Sequence, residues 1–183
     1  RFAKFKDGTV RLHDAVVKAG AKILHVTPPT YEDARGGKPG YAAVLDRYAA
    51  WLVQQRGAAK WDVADVHTPL RRHLDEQWQR DPAYYISKDG VHAGETGHWI
   101  IAREILRHLG ARDLDGVAGP QAMAARHPRG AEIAKLAGQR HALMRDAWLS
   151  ATGHTRPGMK AGLPLAEAQA RATELDRQIA ARP

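Results

Sequence analysis

The sequence contains no cysteine, which excludes disulfide bonds and thiolate chemistry. It also lacks any apolar run near the ~20 residues that a membrane-spanning helix needs. Its hydrophobic content of 44% and charged content of 26% are instead ordinary for a folded chain with a core. A length of 183 residues would suit one or two domains.

The formal net charge of +8 would permit nucleic-acid binding. The basic residues are scattered, however, and the one adjacent basic pair, Arg71-Arg72, is followed by Asp75 and Glu76. Such a pattern is typical of a solvated helical surface. We therefore expect no nucleic-acid partner and no membrane span, and the sequence leaves the oligomeric state open.

Hydrophobic spacing predicts the elements of the chain. Helices are expected at 2–19, 41–55, 69–79, 96–109, 131–150 and 164–181, with a helical turn at 121–126. Strands are expected at 22–27 and 61–66, and polar loops at 30–40 and 153–162. Strands that alternate with helices predict an α/β fold with a parallel sheet, here over residues 1–110, and residues 111–183 read as a helical extension.

Ligands of parallel α/β sheets bind beyond the carboxyl ends of the strands. In this chain the segments that would meet there are Thr27 to Tyr31, His67-Thr68 and the loop Asp89–His92. Tyr31 and His67 are accordingly candidate substrate-binding residues. An ordinary surface tyrosine explains Tyr31 equally well, and His67 is also the main rival base, although no carboxylate lies at a matching offset.

The stretch from Asp89 to His98 carries the strongest chemical pattern. Asp89 and His92 are three residues apart with Gly90 between them, so the loop can fold back and let the carboxylate accept a hydrogen bond from one ring nitrogen. The other ring nitrogen could then take a proton from a nucleophile. A plain helix entry capped by Thr96 is the alternative. The spacing by itself leaves both interpretations of Asp89 and His92 open.

Ten histidines invite a metal-site interpretation. His92 and His98 are six residues apart, about 240° around a helix, so they cannot share a helical face. The sequence has no His-Glu-x-x-His motif or clustered Asp/His pattern. We expect neither a metal nor a cofactor, and we interpret His154 as an ordinary loop histidine.

Three segments together resemble SGNH hydrolases, also called GDSL-type esterases. Asp89-Gly90-Val91-His92, followed by Gly97-His98 and an apolar helix, is similar to the last block of that family. The segments 22–29 and 62–70 are similar to the family's fourth and fifth strands with the loops after them. The resemblance covers roughly residues 1–110, and Ala93 replaces the usual proline after the histidine.

The resemblance implies a flavodoxin-like three-layer parallel-sheet fold, of which this chain would be the carboxyl-terminal part. The family's Gly-Asp-Ser block and its Gly-x-Asn-Asp block are absent, and the sequence has no asparagine. The nucleophilic serine and the oxyanion-hole donors are therefore expected upstream of Arg1. For the parent protein, the family favours a secreted or periplasmic location.

By the same resemblance, we expect a serine esterase that hydrolyses small O-acyl esters, acetyl groups on carbohydrate being favoured by the Thr27-Pro28-Pro29 loop. His92 would serve as general base and then acid, and Asp89 would orient it. Lipid esters, thioesters and peptidoglycan O-acetyl groups stay open as substrates. The alternative is a non-catalytic carbohydrate-binding or interaction module on a degenerate hydrolase fold.

Overall fold

The computed structural model describes residues 1–155, 158 and 160–181. The chain forms two compact units, Arg1–Asp115 and Gly116–Pro183. The predicted loop at 153–162 lies partly outside the described residues. None of the described helices is both long and apolar enough to cross a membrane.

Helices make up most of the described structure. In chain order the elements are α1 (Phe2–Lys18), β1 (His25–Val26), α2 (Asp33–Gly36), α3 (Tyr41–Ala58), β2 (Val63–Ala64), α4 (His67–Trp78), α5 (Glu95–His108), α6 (Pro120–Ala124), α7 (Gly130–Ala151) and α8 (Leu165–Ala180). The short helix α2 lies where the sequence predicted only a polar loop.

The predicted three-layer parallel-sheet fold of the SGNH type is wrong for this chain. The described residues are 61% helix and 3% strand, and the sheet that they form consists of β1 and β2 alone. The two strands are parallel, with His25 paired to Val63 and Val26 to Ala64. Two strands of two residues each cannot form the middle layer of such a fold.

Local chemistry explains why both strands are shorter than the apolar runs predicted. Pro28 and Pro29 follow β1 after Thr27, and proline has no N–H for a sheet ladder. After β2, the Asp65 Oδ1 atom accepts a hydrogen bond from the Thr68 backbone N–H at 3.1 Å. That bond turns the chain into α4, because an aspartate beside a helix start stabilises the free N–H groups there.

The core of the first unit holds the helices and the strand pair together. One cluster joins α4 and α5 through Leu70, Leu74, Ile86 and Ile100. A second cluster, of Leu52, Trp61 and Val63, packs α3 against β2. The loop before α5 is part of the first cluster through Ile86, so this core supports the predicted catalytic stretch.

The second unit is helical, and its main packing is between α7 and α8. Small buried residues, Ala147 in α7 and Ala168 and Ala172 in α8, line these helices. Gly162 precedes α8 and passes so close to α7 that an added Cβ atom would lie 2.3 Å from the Asp146 carbonyl. The helical turn predicted at 121–126 corresponds to α6. The boundary between the units falls after Asp115, whereas the sequence predicted one after residue 110.

Candidate functional site

The loop from Ile86 to Gly94 carries the predicted catalytic pair. Its two ends are held together by an antiparallel bridge between Ser87 and Ala93 and by a 2.9 Å hydrogen bond from the Gly94 N–H to the Ile86 carbonyl. At the tip, the Gly90 N–H donates to the Ser87 carbonyl at 3.1 Å. The loop is thus closed on itself immediately before α5 begins.

Asp89 and His92 are in direct contact in this loop. The His92 Nδ1 atom lies 2.7 Å from the Asp89 Oδ2 atom. The other carboxylate oxygen, Oδ1, accepts hydrogen bonds from the backbone N–H groups of Val91 at 3.0 Å and His92 at 2.8 Å. Because the carboxylate can only accept, it holds His92 with the proton on Nδ1.

These bonds also fix the charge of Asp89. The hydrogen bond from the His92 ring, followed by the backbone N–H groups of His92 and Val91, lowers the pKa of Asp89 well below its usual range. A carboxylate that accepts these hydrogen bonds stays ionised near neutral pH and can stabilise a protonated imidazole beside it. This is the geometry by which a carboxylate orients an imidazole in Ser-His-Asp triads.

The second ring nitrogen of His92 faces solvent. The His92 side chain is 85% exposed, and within the described residues no group hydrogen-bonds to its Nε2 atom. With Nδ1 protonated, Nε2 carries a lone pair that can accept a proton from a nucleophile. The pair is chemically able to act as a general base toward a group that approaches from outside the loop.

His67 has a different environment. Its ring is buried, with Nδ1 3.0 Å from the Pro28 carbonyl and Nε2 2.9 Å from the Asp46 carboxylate. A carbonyl oxygen and a carboxylate can only accept hydrogen bonds, so each ring nitrogen faces an acceptor of the fold. Neither nitrogen of His67 is open to solvent as Nε2 of His92 is, although the ring does line a cavity of about 670 Å³ between α3 and α4.

Thr27 joins the end of β1 to the start of α4. Its buried hydroxyl accepts hydrogen bonds from the backbone N–H groups of Val66 at 2.9 Å and His67 at 3.0 Å, and it donates to the Asp65 carboxylate at 3.2 Å. The structure therefore brings Thr27 and His67 together.

Tyr31 is buried, and its side chain forms part of the wall of a cavity of about 430 Å³. Its ring packs edge-on against Tyr41 at 5.0 Å between centroids. Its hydroxyl lies against Gly36, where an added Cβ atom would come within 2.0 Å, and it has no hydrogen-bond partner among the described residues. An ordinary surface position for Tyr31 does not fit this burial.

Glu32 is a residue of the site that sequence reasoning missed. It is buried, and its Oε1 atom accepts hydrogen bonds from the backbone N–H groups of Ile86 at 3.0 Å and Ser87 at 2.6 Å. Glu32 lies 57 residues before Asp89, in a stretch rich in glycine and charge, where a glutamate is normally solvated. No local sequence signal distinguishes it.

Comparison with known proteins adds no relative: no family model, no curated protein and no solved structure matches the chain.

Proposed function

We propose that Asp89 and His92 form the acid–base unit of a serine esterase of the SGNH type. The observation that supports this proposal is the 2.7 Å contact between His92 Nδ1 and Asp89 Oδ2, which leaves Nε2 open to solvent. The proposal concerns the chemistry of this loop, since the sheet of the chain differs from the layered fold that the resemblance implied.

The proposed reaction is acyl transfer in two halves. A serine hydroxyl attacks the ester carbonyl carbon while His92 Nε2 takes its proton, and the resulting imidazolium donates that proton to the departing alcohol. Water then attacks the acyl-serine by the same route, releasing the acid and restoring the serine. Asp89 stays ionised throughout and stabilises the imidazolium.

The nucleophile is proposed to come from outside these 183 residues. The serines of the sequence are Ser87 and Ser150. Ser87 is itself a buried residue of the loop, and the Ser150 hydroxyl accepts a hydrogen bond from the Gly162 N–H at 2.7 Å within the second unit. We therefore expect the 183-residue chain by itself to show no esterase turnover that depends on His92.

The proposed substrates are small O-acyl esters, with acetyl groups on carbohydrate as the first choice. The choice of carbohydrate rests on the resemblance of the Thr27-Pro28-Pro29 loop to carbohydrate esterases. The exposed position of His92 is compatible with it, because an imidazole that projects into solvent can meet an ester on a bulky alcohol. No cofactor enters this chemistry.

The proposal is tested with the protein expressed from its full coding sequence, using a soluble acetyl ester. We expect His92→Ala to lower turnover by about 10²–10⁴-fold, the usual contribution of a general acid–base group. His98→Ala is the matched control, because His98 is an exposed histidine six residues away, and it should keep turnover within about threefold of wild type. Near-wild-type turnover of His92→Ala would contradict the proposal and leave a non-catalytic binding role.

A further inference from the structure

We propose that Glu32 is a positioning residue that holds the loop from Ile86 to Gly94 in the conformation in which Asp89 meets His92. This inference deepens the proposed function and rests on it for its catalytic meaning. Its structural content, that one buried carboxylate determines the geometry of the pair, can be tested without any esterase assay.

The side chain of Glu32 makes the primary contact. Its Oε1 atom accepts hydrogen bonds from the backbone N–H groups of Ile86 and Ser87, the residues that begin the loop. Hydrogen bonds from N–H groups to a charged acceptor are roughly twice as strong as those between neutral groups. The first two amides of the loop are therefore fixed at a single oxygen atom.

The backbone of Glu32 makes a second contact, at the tip of the loop. The Glu32 N–H donates to the Gly90 carbonyl at 3.1 Å, and the Glu32 carbonyl accepts from the N–H groups of Arg35 and Gly36. A Cβ atom on Gly90 would lie 2.5 Å from the Gly36 nitrogen. Helix α2 thus contacts Gly90, the residue that follows Asp89.

The chemistry of this position argues for a specific role. Burying a carboxylate costs free energy unless it is paired and hydrogen-bonded. Within the described residues, Glu32 makes no ion pair with a lysine or arginine, so backbone N–H groups are its compensation. An apolar residue would fill the space at lower cost but would leave two buried N–H groups unsatisfied.

Two conservative variants separate the effect of the length of the Glu32 side chain from the effect of its charge. Glu32→Gln keeps an oxygen at the same distance and removes the charge. Glu32→Asp keeps the charge and withdraws the carboxylate by one methylene, about 1.5 Å. Asp33→Asn is the matched control, because Asp33 is the adjacent carboxylate and accepts the N–H groups of Gly40 and Ala42 at the start of α3 instead.

The first readout is the tautomer of His92, measured on the 183-residue chain by two-bond ¹H–¹⁵N NMR of the imidazole. We expect the Nδ1-protonated form in wild type, Glu32→Gln and Asp33→Asn, and a mixture of both tautomers in Glu32→Asp. The second is hydrogen exchange at the Ile86 and Ser87 amides, which Glu32→Asp should accelerate by about tenfold or more.

A Glu32→Asp variant that keeps the Nδ1-protonated tautomer and slow exchange would overturn the proposal, because the reach of the carboxylate to the two amides would then not matter. If Glu32→Asp does not fold, hydrogen exchange of the wild-type chain still tests the proposal. Amides of Ile86 and Ser87 that exchange as fast as those of an unstructured loop would overturn it. These readouts are independent of turnover, so failure of the esterase assay and failure of the positioning role are distinguishable.

Discussion

At the scale of single residues, the site depends on how tightly the loop tip fits against α2. Gly90 has a φ angle of +77°, in the left-handed region that favours glycine. It also has no room for a side chain, since an added Cβ atom would lie 2.5 Å from the Gly36 nitrogen and 2.8 Å from the Glu32 carbonyl oxygen. Conformation and close approach thus both require glycine at this position.

We predict that Gly90→Ala separates the loop from α2 and breaks the Asp89–His92 pair. Gly37→Ala is the control, because Gly37 has a similar φ of +66° but open space around it. Gly37→Ala should cost only the strain of a left-handed alanine, about 1–2 kcal/mol, and should keep the His92 tautomer. Equal effects of the two variants on stability and tautomer would show that close packing at Gly90 is not needed.

At the scale of elements, α4 and α5 pack against the loop from Ile86 to Gly94 through one apolar cluster. Leu74 is 1% exposed and packs with Leu70, Ile86 and Ile100. Because Ile86 is also the first residue of the loop, this cluster links core packing to the site. A cavity in the cluster should therefore lower the stability of the core and loosen the loop that carries the site.

Leu74→Ala should lower the free energy of unfolding of the first unit by about 2–5 kcal/mol, the usual cost of a large-to-small change in a core. Leu109→Ala, at a position that is 67% exposed, should change it by less than about 0.5 kcal/mol. Urea denaturation followed by NMR signals of the first unit measures both. A cost below 1 kcal/mol for Leu74→Ala would contradict the described core.

The contact between α1 and β1 should be sensitive to pH. The His13 Nδ1 atom lies 3.0 Å from the His25 Nε2 atom, and both rings stack on Trp61. Burial lowers the pKa of His25 below its usual value, the neighbouring His13 lowers it further, and Asp62 opposes the shift. The folded state therefore binds this proton less readily than the unfolded state does.

The sign of the effect follows from that difference. Stability from neutral His25 is fully present above the unfolded pKa of about 6.5 and is lost as pH falls below it toward the lower folded value. Protection of the His25 and Thr27 amides, which bond to Asp62 and Ala64, should fall between pH 7 and pH 5.5. His25→Gln should flatten this dependence and His98→Gln should keep it, whereas the same slope in all three proteins would refute the prediction.

At the scale of the whole molecule, the sequence predicted individual elements better than their assembly. The helical spacing in 41–55 and 96–109 matches α3 and α5 closely, because an amphipathic period is a local property. The number of strands in a sheet is not local, and two apolar runs that end at Pro28 and Asp65 form only a short pair. The three-layer prediction assumed strands that these residues do not supply.

The same distinction applies to the site. The contact between Asp89 and His92 was predictable because it closes within four residues of sequence. Helix α2 and Glu32 were not, because their role depends on a contact with Ser87 across 55 residues. Burial of Tyr31 likewise depends on Gly36 and Tyr41, which only the folded chain brings to its ring.

Since the site lies wholly within the unit Arg1–Asp115, we predict that residues 116–183 are dispensable for its geometry. A chain that ends at Asp115 should keep the Nδ1-protonated tautomer of His92 and the slow exchange of Ser87. Loss of both in a truncated chain that retains its helical circular dichroism would show that the second unit contributes to the site.

The central claim is that Asp89 and His92 act as one unit, and a double-mutant cycle on turnover tests it most directly. The protein expressed from its full coding sequence is assayed on a soluble acetyl ester as wild type, Asp89→Asn, His92→Ala and the double variant. Either change disables the same proton transfer, so the double variant should be within about threefold of His92→Ala alone. Losses that multiply cleanly would contradict the claim, because independent contributions would mean that the two residues do not form a catalytic pair.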